Sequence, residues 1–282
     1  MNKRMKIFVR RIQPALNIAA LFVTVAMLFC GGARPSAAQD VLRRAHAHND
    51  YEHARPLVDA LEHGFISIEA DVHLVDGALL VAHDLDQIQP DRSLVSLYLD
   101  PLRKRVRENG GHVYPEGPPL VLLIDVKSEA EATYKALHDV LRGYADVLTR
   151  FEDDEMTTGA VTVVVSGNRA RDVMRQQTIR YAAYDGRAED LSHHADASPA
   201  FIPLVSMNWS SVTDWRGDGS IPEEDRGRLR QLVDDTHRQG RMLRFWATPD
   251  TSSMWDVLVE ENVDLIGADD LGALRSYLLG IE

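Results

Sequence analysis

Two carboxylates stand two residues apart near the end of an apolar run, FISIEADVHLV, at positions 65–75. In an extended strand, Glu69 and Asp71 project from the same face, roughly 6.5 Å apart along it. Two anions at the end of a buried strand are costly unless a cation lies between them. The spacing therefore predicts a divalent metal with oxygen ligands, Mg2+ or Ca2+. Carboxylates that are simply hydrated are the alternative.

A second apolar run, PLVLLIDVKS at positions 119–128, ends in the same way. Asp125 and Lys127 are two apart and share one face of an extended strand. Asp125 would complete the carboxylate set of the metal, and Lys127 would supply a fixed positive charge for an anionic oxygen. A structural ion pair is the alternative.

Histidines flank these carboxylates. AHAHNDYEH, at 45–53, places His46 and His48 at the end of a predicted strand, and VDGALLVAHD, at 75–84, supplies His83. Histidine transfers protons near neutral pH. A three-residue loop at 75–77 sets His83 opposite Glu69, whereas a two-residue turn at 76–77 sets it opposite Ala70 and aims it away. A functional His83 therefore requires the three-residue loop.

Short apolar runs alternate with amphipathic stretches along the chain. The predicted strands are 43–48, 65–71, 120–126, 161–166, 179–184, 202–207, 242–246 and 263–267, and the predicted helices are 54–62, 129–149, 169–176, 222–238, 252–260 and 270–279. This alternation predicts an α/β fold, a parallel (β/α)8 TIM barrel whose functional side chains lie where the strands end.

Other residues at predicted strand ends give weaker signals. Asn49 and Trp246 are assigned to substrate contact. Arg169 and Arg244 suit phosphate but are more often structural ion-pair partners. Trp209, Trp215 and Trp246 suit a wall for a polyol or headgroup, with buried packing as the alternative. His73 shares the face of Asp71 by parity, and the pair 269–270 is expected to cap the last helix.

The first 38 residues combine basic residues, an apolar run and small residues ending at Ala38. This layout predicts a signal peptide, 1–38, with a retained anchor as the alternative, followed by one domain, 39–282, that is secreted or periplasmic. Cys30 is lost with the leader, so no disulfide forms. Removing six basic residues takes the formal charge from −12 to −18, which disfavours nucleic-acid binding.

As an ordered set over residues 46–127, these motifs resemble the glycerophosphodiester phosphodiesterase and phosphatidylinositol-specific phospholipase C-like superfamily. The stretch 48–84 is most similar to its secreted bacterial and fungal phospholipase C-like branch. The resemblance implies a general acid–base pair, three Mg2+ (or Ca2+) ligands and a phosphate contact. The acid–base pair would be His48 and His83, the metal ligands would be Glu69, Asp71 and Asp125, and the phosphate contact would be Lys127. Trp246 matches an aromatic residue of sphingomyelinase D-like members.

The chain departs from the usual pattern at two places. Typical members read H-R-G at the first strand, whereas this chain reads His46-Ala47-His48-Asn49, so His46 is an alternative first histidine. The third ligand is Asp125 rather than the usual glutamate, as in sphingomyelinase D-like members, which leaves the headgroup open.

The resemblance implies a metal-dependent phosphodiesterase that acts on a small phosphodiester or a phospholipid headgroup and touches membranes only through a lipid substrate. The attacking group is either water or a substrate hydroxyl, which would give a cyclic phosphate first. Two alternatives stay open: an amidohydrolase-like enzyme with zinc on His46 and His48, and an inactive barrel that binds a polyol or headgroup. The sequence does not indicate the oligomeric state.

Overall fold

The computed structural model describes residues 40–115 and 117–281. The predicted leader, 1–38, lies outside the described residues and stays a prediction. Within the described part of the chain, no helix combines the length and the apolar character needed to cross a bilayer.

Twelve strands are formed by the described residues. They are β1 (Leu42–Ala47), β2 (Phe65–Val75), β3 (Ala78–Val81), β4 (Leu120–Val126), β5 (Arg150–Glu152), β6 (Glu155–Thr157), β7 (Val161–Gly167), β8 (Ile179–Arg180), β9 (Ala183–Gly186), β10 (Leu204–Asn208), β11 (Met242–Trp246) and β12 (Ile266–Ala268). Eight of them are the parallel strands of the barrel, its staves, in the order β11-β10-β9-β7-β4-β2-β1-β12. A parallel bridge between Arg244 and Leu265 joins the two ends. The predicted TIM barrel is confirmed.

Helices pack around these staves. They are α1 (Val58–Glu62), α2 (Asp100–Glu108), α3 (Ala130–Arg142), α4 (Arg171–Gln176), α5 (Asp190–His193), α6 (Glu223–Arg238), α7 (Ser252–Glu260) and α8 (Leu271–Ile281). The predicted helix 129–149 is shorter than expected. The Glu129 carboxylate caps its start by accepting from two backbone N–H groups, and Gly143 follows its last residue.

The structure departs from the predicted elements at two further places. The predicted strand 179–184 is split: β8 joins the small antiparallel sheet β6-β5-β8, and only β9 is a stave. The sequence analysis also missed α2 and the π-helical turn before it, Val95–Leu99. Pro101 stands in the first turn of α2, where a helix tolerates proline because that N–H has no intrahelical partner.

The hairpin after β2 has a two-residue turn, so the three-residue loop that a functional His83 was expected to require does not form. Val75 pairs with Ala78, and Asp76 and Gly77 have φ values of 48° and 82°, as a type I′ turn requires. The expectation that His83 can face the site only with a three-residue loop was wrong. The hairpin strand ends at Val81, so His83 lies beyond the ladder and is free of the alternation that would aim it away.

The barrel interior changes from apolar to polar along the staves. The inward-facing residues of β4 are Val121, Leu123 and Asp125. Each lies beside the residue at the same height on β7, so Asp125 lies beside Ser166. A cluster of buried apolar residues, including Leu123 and the fully buried Phe151, fills the lower half of the barrel. Charged side chains of β2 and β4 therefore meet at the carboxyl ends of these strands.

Candidate active site

Three carboxylates meet at the carboxyl ends of β2 and β4. These strands are parallel neighbours, and Asp71 and Asp125 are paired in register. One oxygen from each of Glu69, Asp71 and Asp125 lies within 4.8 Å of the others. The parity argument from the sequence correctly indicated that the three groups share one face of adjacent strands.

The donor set fits a divalent cation. Asp71 Oδ1 is buried and has no hydrogen-bond partner. Burial raises the pKa of Asp125 to about 6; Lys127 opposes this rise, and the neighbouring Asp71 and Glu69 carboxylates add to it. A cation between these oxygens would give Asp71 Oδ1 a partner and would offset the cost of ionising the buried Asp125 carboxylate. A set made of carboxylate oxygens suits Mg2+ or Ca2+.

Glu69 is held ionised inside the barrel. Burial alone would raise the pKa of Glu69, but the Arg244 guanidinium and the hydrogen bond from His46 hold it well below its usual range. Its Oε2 accepts from Arg244 Nη2 at 2.8 Å and from His46 Nε2 at 3.0 Å. Arg244 is therefore an ion-pair partner, as the sequence favoured, and it also lines the site cavity.

His46 is a fixed internal group. It is fully buried, and the Ser67 hydroxyl donates to its Nδ1 at 2.7 Å. Burial, reinforced by the Arg244 charge, lowers the pKa of His46 to about 4. The imidazole is thus neutral near pH 7, with both ring nitrogens engaged, and it does not line the cavity.

His48 has the opposite environment. It lines the cavity, and its Nδ1 donates to Asp269 Oδ1 at 2.7 Å. Burial alone would lower the pKa of His48, but the Asp269 carboxylate raises it above its usual value. The expected helix-capping role belongs to Asp270 alone, whose Oδ1 accepts from the N–H of Ala273. Asp269 instead orients His48.

The second imidazole is oriented by a carboxylate of the triad. His83 Nδ1 donates to Asp71 Oδ2 at 2.9 Å, and the Tyr51 hydroxyl donates to the same oxygen at 2.7 Å. Lys127 Nζ lies 3.0 Å from Asp71 Oδ2 and 3.3 Å from Asp125 Oδ1. Within the described residues, Nε2 of neither His48 nor His83 has a hydrogen-bond partner, so each is available for proton transfer.

A cavity of about 330 Å3 joins these groups. One part of its lining holds the candidate chemistry: His48, Glu69, His83, Asp125 and Lys127. The rest is Asn49, Ser166, Arg187, Arg244 and Trp246. Eight residues were assigned from the sequence to proton transfer, metal binding or substrate contact, and seven of them line this cavity. The eighth, Asp71, is fully buried beneath it.

Arg187 is the cavity residue that sequence reasoning missed. Its Nη1 donates to Asp185 Oδ2 at 2.6 Å, and its Nη2 donates to Ser166 Oγ at 3.1 Å. Asp185 is fully buried and also accepts from Ser206. Ser166 ends the predicted strand 161–166 and Asp185 follows the predicted strand 179–184. The signal for Arg187 was therefore its position two residues after an acidic strand end.

Four weaker candidates lie outside the cavity lining. Trp209 is fully buried, and its Nε1 donates to the carbonyl of Trp215. Arg169 packs over the Tyr184 ring at 4.8 Å. His73 Nε2 donates to the carbonyl of His83, so it supports the segment that presents the second imidazole. The two tryptophans are packing groups, as the alternative interpretation proposed. Within the described residues, Arg169 contacts an aromatic ring and the Asp185 carbonyl instead of forming the expected ion pair.

The fold and the site together define a phosphodiesterase-like TIM barrel. Solved glycerophosphodiester phosphodiesterases from Parabacteroides distasonis and Agrobacterium tumefaciens share this fold, each with a TM-score of 0.50. The first is 16% identical and matched over 84% of this chain and 97% of that one; the second is 14% identical over 84% and 99%. These two structures show the fold, and the match to a phosphodiesterase family model confirms the superfamily expected from the motifs.

A family model, the AIM6-like phosphodiesterase domain, matches residues 36–185, and the chain belongs to this family. The chain is 31% identical to Altered inheritance of mitochondria protein 6 of Eremothecium gossypii, over 84% of this chain and 70% of that protein. It is 28% identical to the homolog of that protein from Arthroderma benhamiae, over 82% of each.

Proposed function

We propose that the protein is a metal-dependent phosphodiesterase that hydrolyses a glycerophosphodiester or a phospholipid headgroup ester. The observation that carries this proposal is the convergence of three carboxylates, one with an unpartnered buried oxygen, beside two imidazoles that open onto one cavity. A phosphodiester is an anion, so its hydrolysis needs positive charge at the phosphate and proton transfer on both sides of it.

Glu69, Asp71 and Asp125 would hold the cation, Mg2+ or alternatively Ca2+. When bound, it would neutralise charge on a phosphate oxygen and act as a Lewis acid. Lys127 binds a second oxygen through Nζ. Its attachment to Asp71 and Asp125 fixes that charge in place, so little reorganisation is needed when charge develops.

The two imidazoles divide the proton transfers. One removes the proton of the attacking hydroxyl, from water or from the substrate itself, and the other protonates the departing alkoxide. His48 is the first-strand histidine of this pair rather than His46. Its Nε2 is free and its Nδ1 is fixed by Asp269, whereas both nitrogens of His46 are already bonded within the barrel.

The other interpretations of the site have weaker support. Within the described residues, the group suited to a metal consists of carboxylates alone, which disfavours an amidohydrolase-like zinc site on His46 and His48. A barrel that merely binds a headgroup would tolerate the loss of key side chains, yet all the expected acid–base, carboxylate and lysine positions are filled.

Replacing one ligand tests the proposal. Asp71→Asn removes one anion and the acceptor of His83, so Mg2+-dependent hydrolysis of glycerophosphodiesters should fall by at least about a hundredfold. Chelation of the wild-type protein should have the same effect. The exposed Glu155→Gln serves as the control variant. Wild-type turnover in Asp71→Asn, or indifference to chelator, would contradict the metal assignment.

We also propose that the protein acts outside the cytoplasm, in the periplasm or after secretion, once residues 1–38 are removed. This rests on the leader-like sequence. The strongly acidic remainder argues against a nucleic-acid partner, and membrane contact would be limited to a lipid substrate at the surface. Cell fractionation with amino-terminal sequencing tests the location; a cytoplasmic chain that begins at Met1 would refute it.

A further inference from the structure

The part of the cavity that faces the carboxylates across the barrel contains one aromatic side chain. Trp246 ends β11, which lies four staves from β4 in a ring of eight, so it faces Asp125 across the barrel. Within the described lining, Trp246 is the one aromatic residue. A quaternary ammonium group is bound by aromatic faces, so Trp246 would have to supply that face here.

One face of Trp246 is already covered by a cation. The Arg187 guanidinium carbon lies 5.1 Å from the ring centroid. Arg187 is held there by the buried Asp185 carboxylate, the Gly186 carbonyl and the Ser166 hydroxyl. Because these contacts fix the guanidinium, a second cation cannot use that face and would share the ring with a like charge.

No unpaired carboxylate compensates for this charge in the described lining of the cavity. Asp125 is paired with Lys127 and Glu69 with Arg244. Asp185, which lies beneath Arg187, is paired with that arginine. The donors left to a ligand include the remaining N–H groups of Arg187.

We infer that the site selects a headgroup that carries hydroxyl groups and no positive charge, a polyol ester rather than a choline ester. Arg187 and Trp246 are the residues that set this selectivity. Hydroxyl oxygens accept from the free N–H groups of Arg187, whereas a trimethylammonium group would lose its hydration without gaining an anionic partner or the ring face that Arg187 covers. This inference rests on the proposed function because it specifies the substrate of that same site.

Binding of free headgroup phosphates tests the inference without requiring turnover. Isothermal titration calorimetry with Mg2+ present would compare inositol 1-phosphate with phosphocholine. We expect the wild-type protein to bind inositol 1-phosphate at least about tenfold more tightly. Equal or tighter binding of phosphocholine, or binding of neither at millimolar concentration, would overturn the inference.

A paired substitution identifies the residue responsible. Arg187→Gln alone leaves Asp185 buried and uncompensated, so it is combined with Asp185→Asn, which removes both charges of the pair. In this double variant the preference for inositol 1-phosphate should fall to near parity, because the ring of Trp246 is uncovered. Arg230→Gln, which breaks an arginine–carboxylate pair with Glu261 outside the cavity, is the control and should keep the preference. An unchanged preference in a folded double variant would overturn the role of Arg187, and the wild-type comparison decides the selectivity if that variant does not fold.

Hydrolysis separates failure of this inference from failure of the proposed function. Turnover of glycerophosphocholine as fast as glycerophosphoinositol would refute the selectivity and leave the phosphodiesterase intact. Selective binding of inositol 1-phosphate without hydrolysis of any phosphodiester would refute the phosphodiesterase and support the selectivity.

Discussion

At the scale of single residues, Asp71 connects the metal-binding and proton-transfer parts of the site. Its Oδ2 accepts from Tyr51, His83 and Lys127, while its Oδ1 has no protein partner. One carboxylate thus orients an imidazole and leaves an oxygen for a cation. Sequence parity located Asp71 and its neighbours, because residues two apart on a strand share a face. It could not pair Asp269 with His48, because the two are distant in sequence and are brought close only by barrel closure. It also missed Arg187, which packs over the distant Trp246.

Asp269 sets the charge and orientation of His48, so its removal should alter the pH dependence of catalysis. Asp269→Asn removes the carboxylate that raises the pKa of His48. The pH–kcat limb of that imidazole should move to lower pH, and kcat should fall by at least about tenfold. Steady-state kinetics over a pH series measures both. Asp270→Asn keeps a good helix cap and is the control. An unmoved limb would exclude Asp269 as the orienting residue.

At the scale of elements, turns and loops decide where the histidines point. The sequence correctly marked 76–77 as a turn but not its length, because a two-residue and a three-residue loop are both compatible with Asp-Gly. His83 reaches Asp71 because β3 ends early, which no local pattern indicates. Likewise, the loop after β1 is anchored by Asp50, which accepts from the N–H of Leu57 at 2.6 Å and from Tyr98 at 2.9 Å.

Two glycine substitutions should have opposite effects on stability. Gly77 has φ of 82° and open space around it, so Gly77→Ala should cost about 1–2 kcal/mol through backbone strain alone. Gly227 lies within α6 with nothing near a new Cβ, so Gly227→Ala should stabilise the fold by about 0.4–1 kcal/mol. Urea unfolding of the two variants measures both changes. Stabilisation by Gly77→Ala as well as by Gly227→Ala would argue against the type I′ turn.

Asp50 should make the protein less stable as pH rises. Burial raises the pKa of Asp50 to about 6, with the hydrogen bonds from Leu57 and Tyr98 opposing the rise. The folded protein therefore holds a proton that the unfolded chain releases near pH 4, so the free energy of unfolding falls between pH 4 and 6 and stays lower above that range. Two pKa units correspond to about 2–3 kcal/mol at most.

Asp50→Asn should remove this part of the slope. Urea unfolding at pH 4.5 and pH 7 would show a smaller loss of stability in the variant than in the wild type. The exposed Asp86→Asn is the control. A loss of the same size in Asp50→Asn and in the wild type would show that Asp50 is not the titrating group.

At the scale of the whole molecule, the alternation of apolar and amphipathic segments was sufficient for the fold. Eight parallel staves were predictable because a buried parallel strand is a short apolar run between helices. The small sheet β6-β5-β8 was not, because its strands are too short for a periodic signal. Barrel closure places strand ends from distant parts of the sequence around one mouth, so a site spread over many strands was expected even where individual partners were not.

The central claim is that the carboxyl ends of β2 and β4 bind a divalent cation between Glu69, Asp71 and Asp125. Crystals of the protein soaked with Mn2+, an anomalous scatterer that stands in for Mg2+, would test it directly. The account predicts an anomalous peak about 2.0–2.3 Å from oxygens of all three carboxylates, beside His48 and His83. An empty carboxylate cluster, or a peak held by histidines instead, would contradict it.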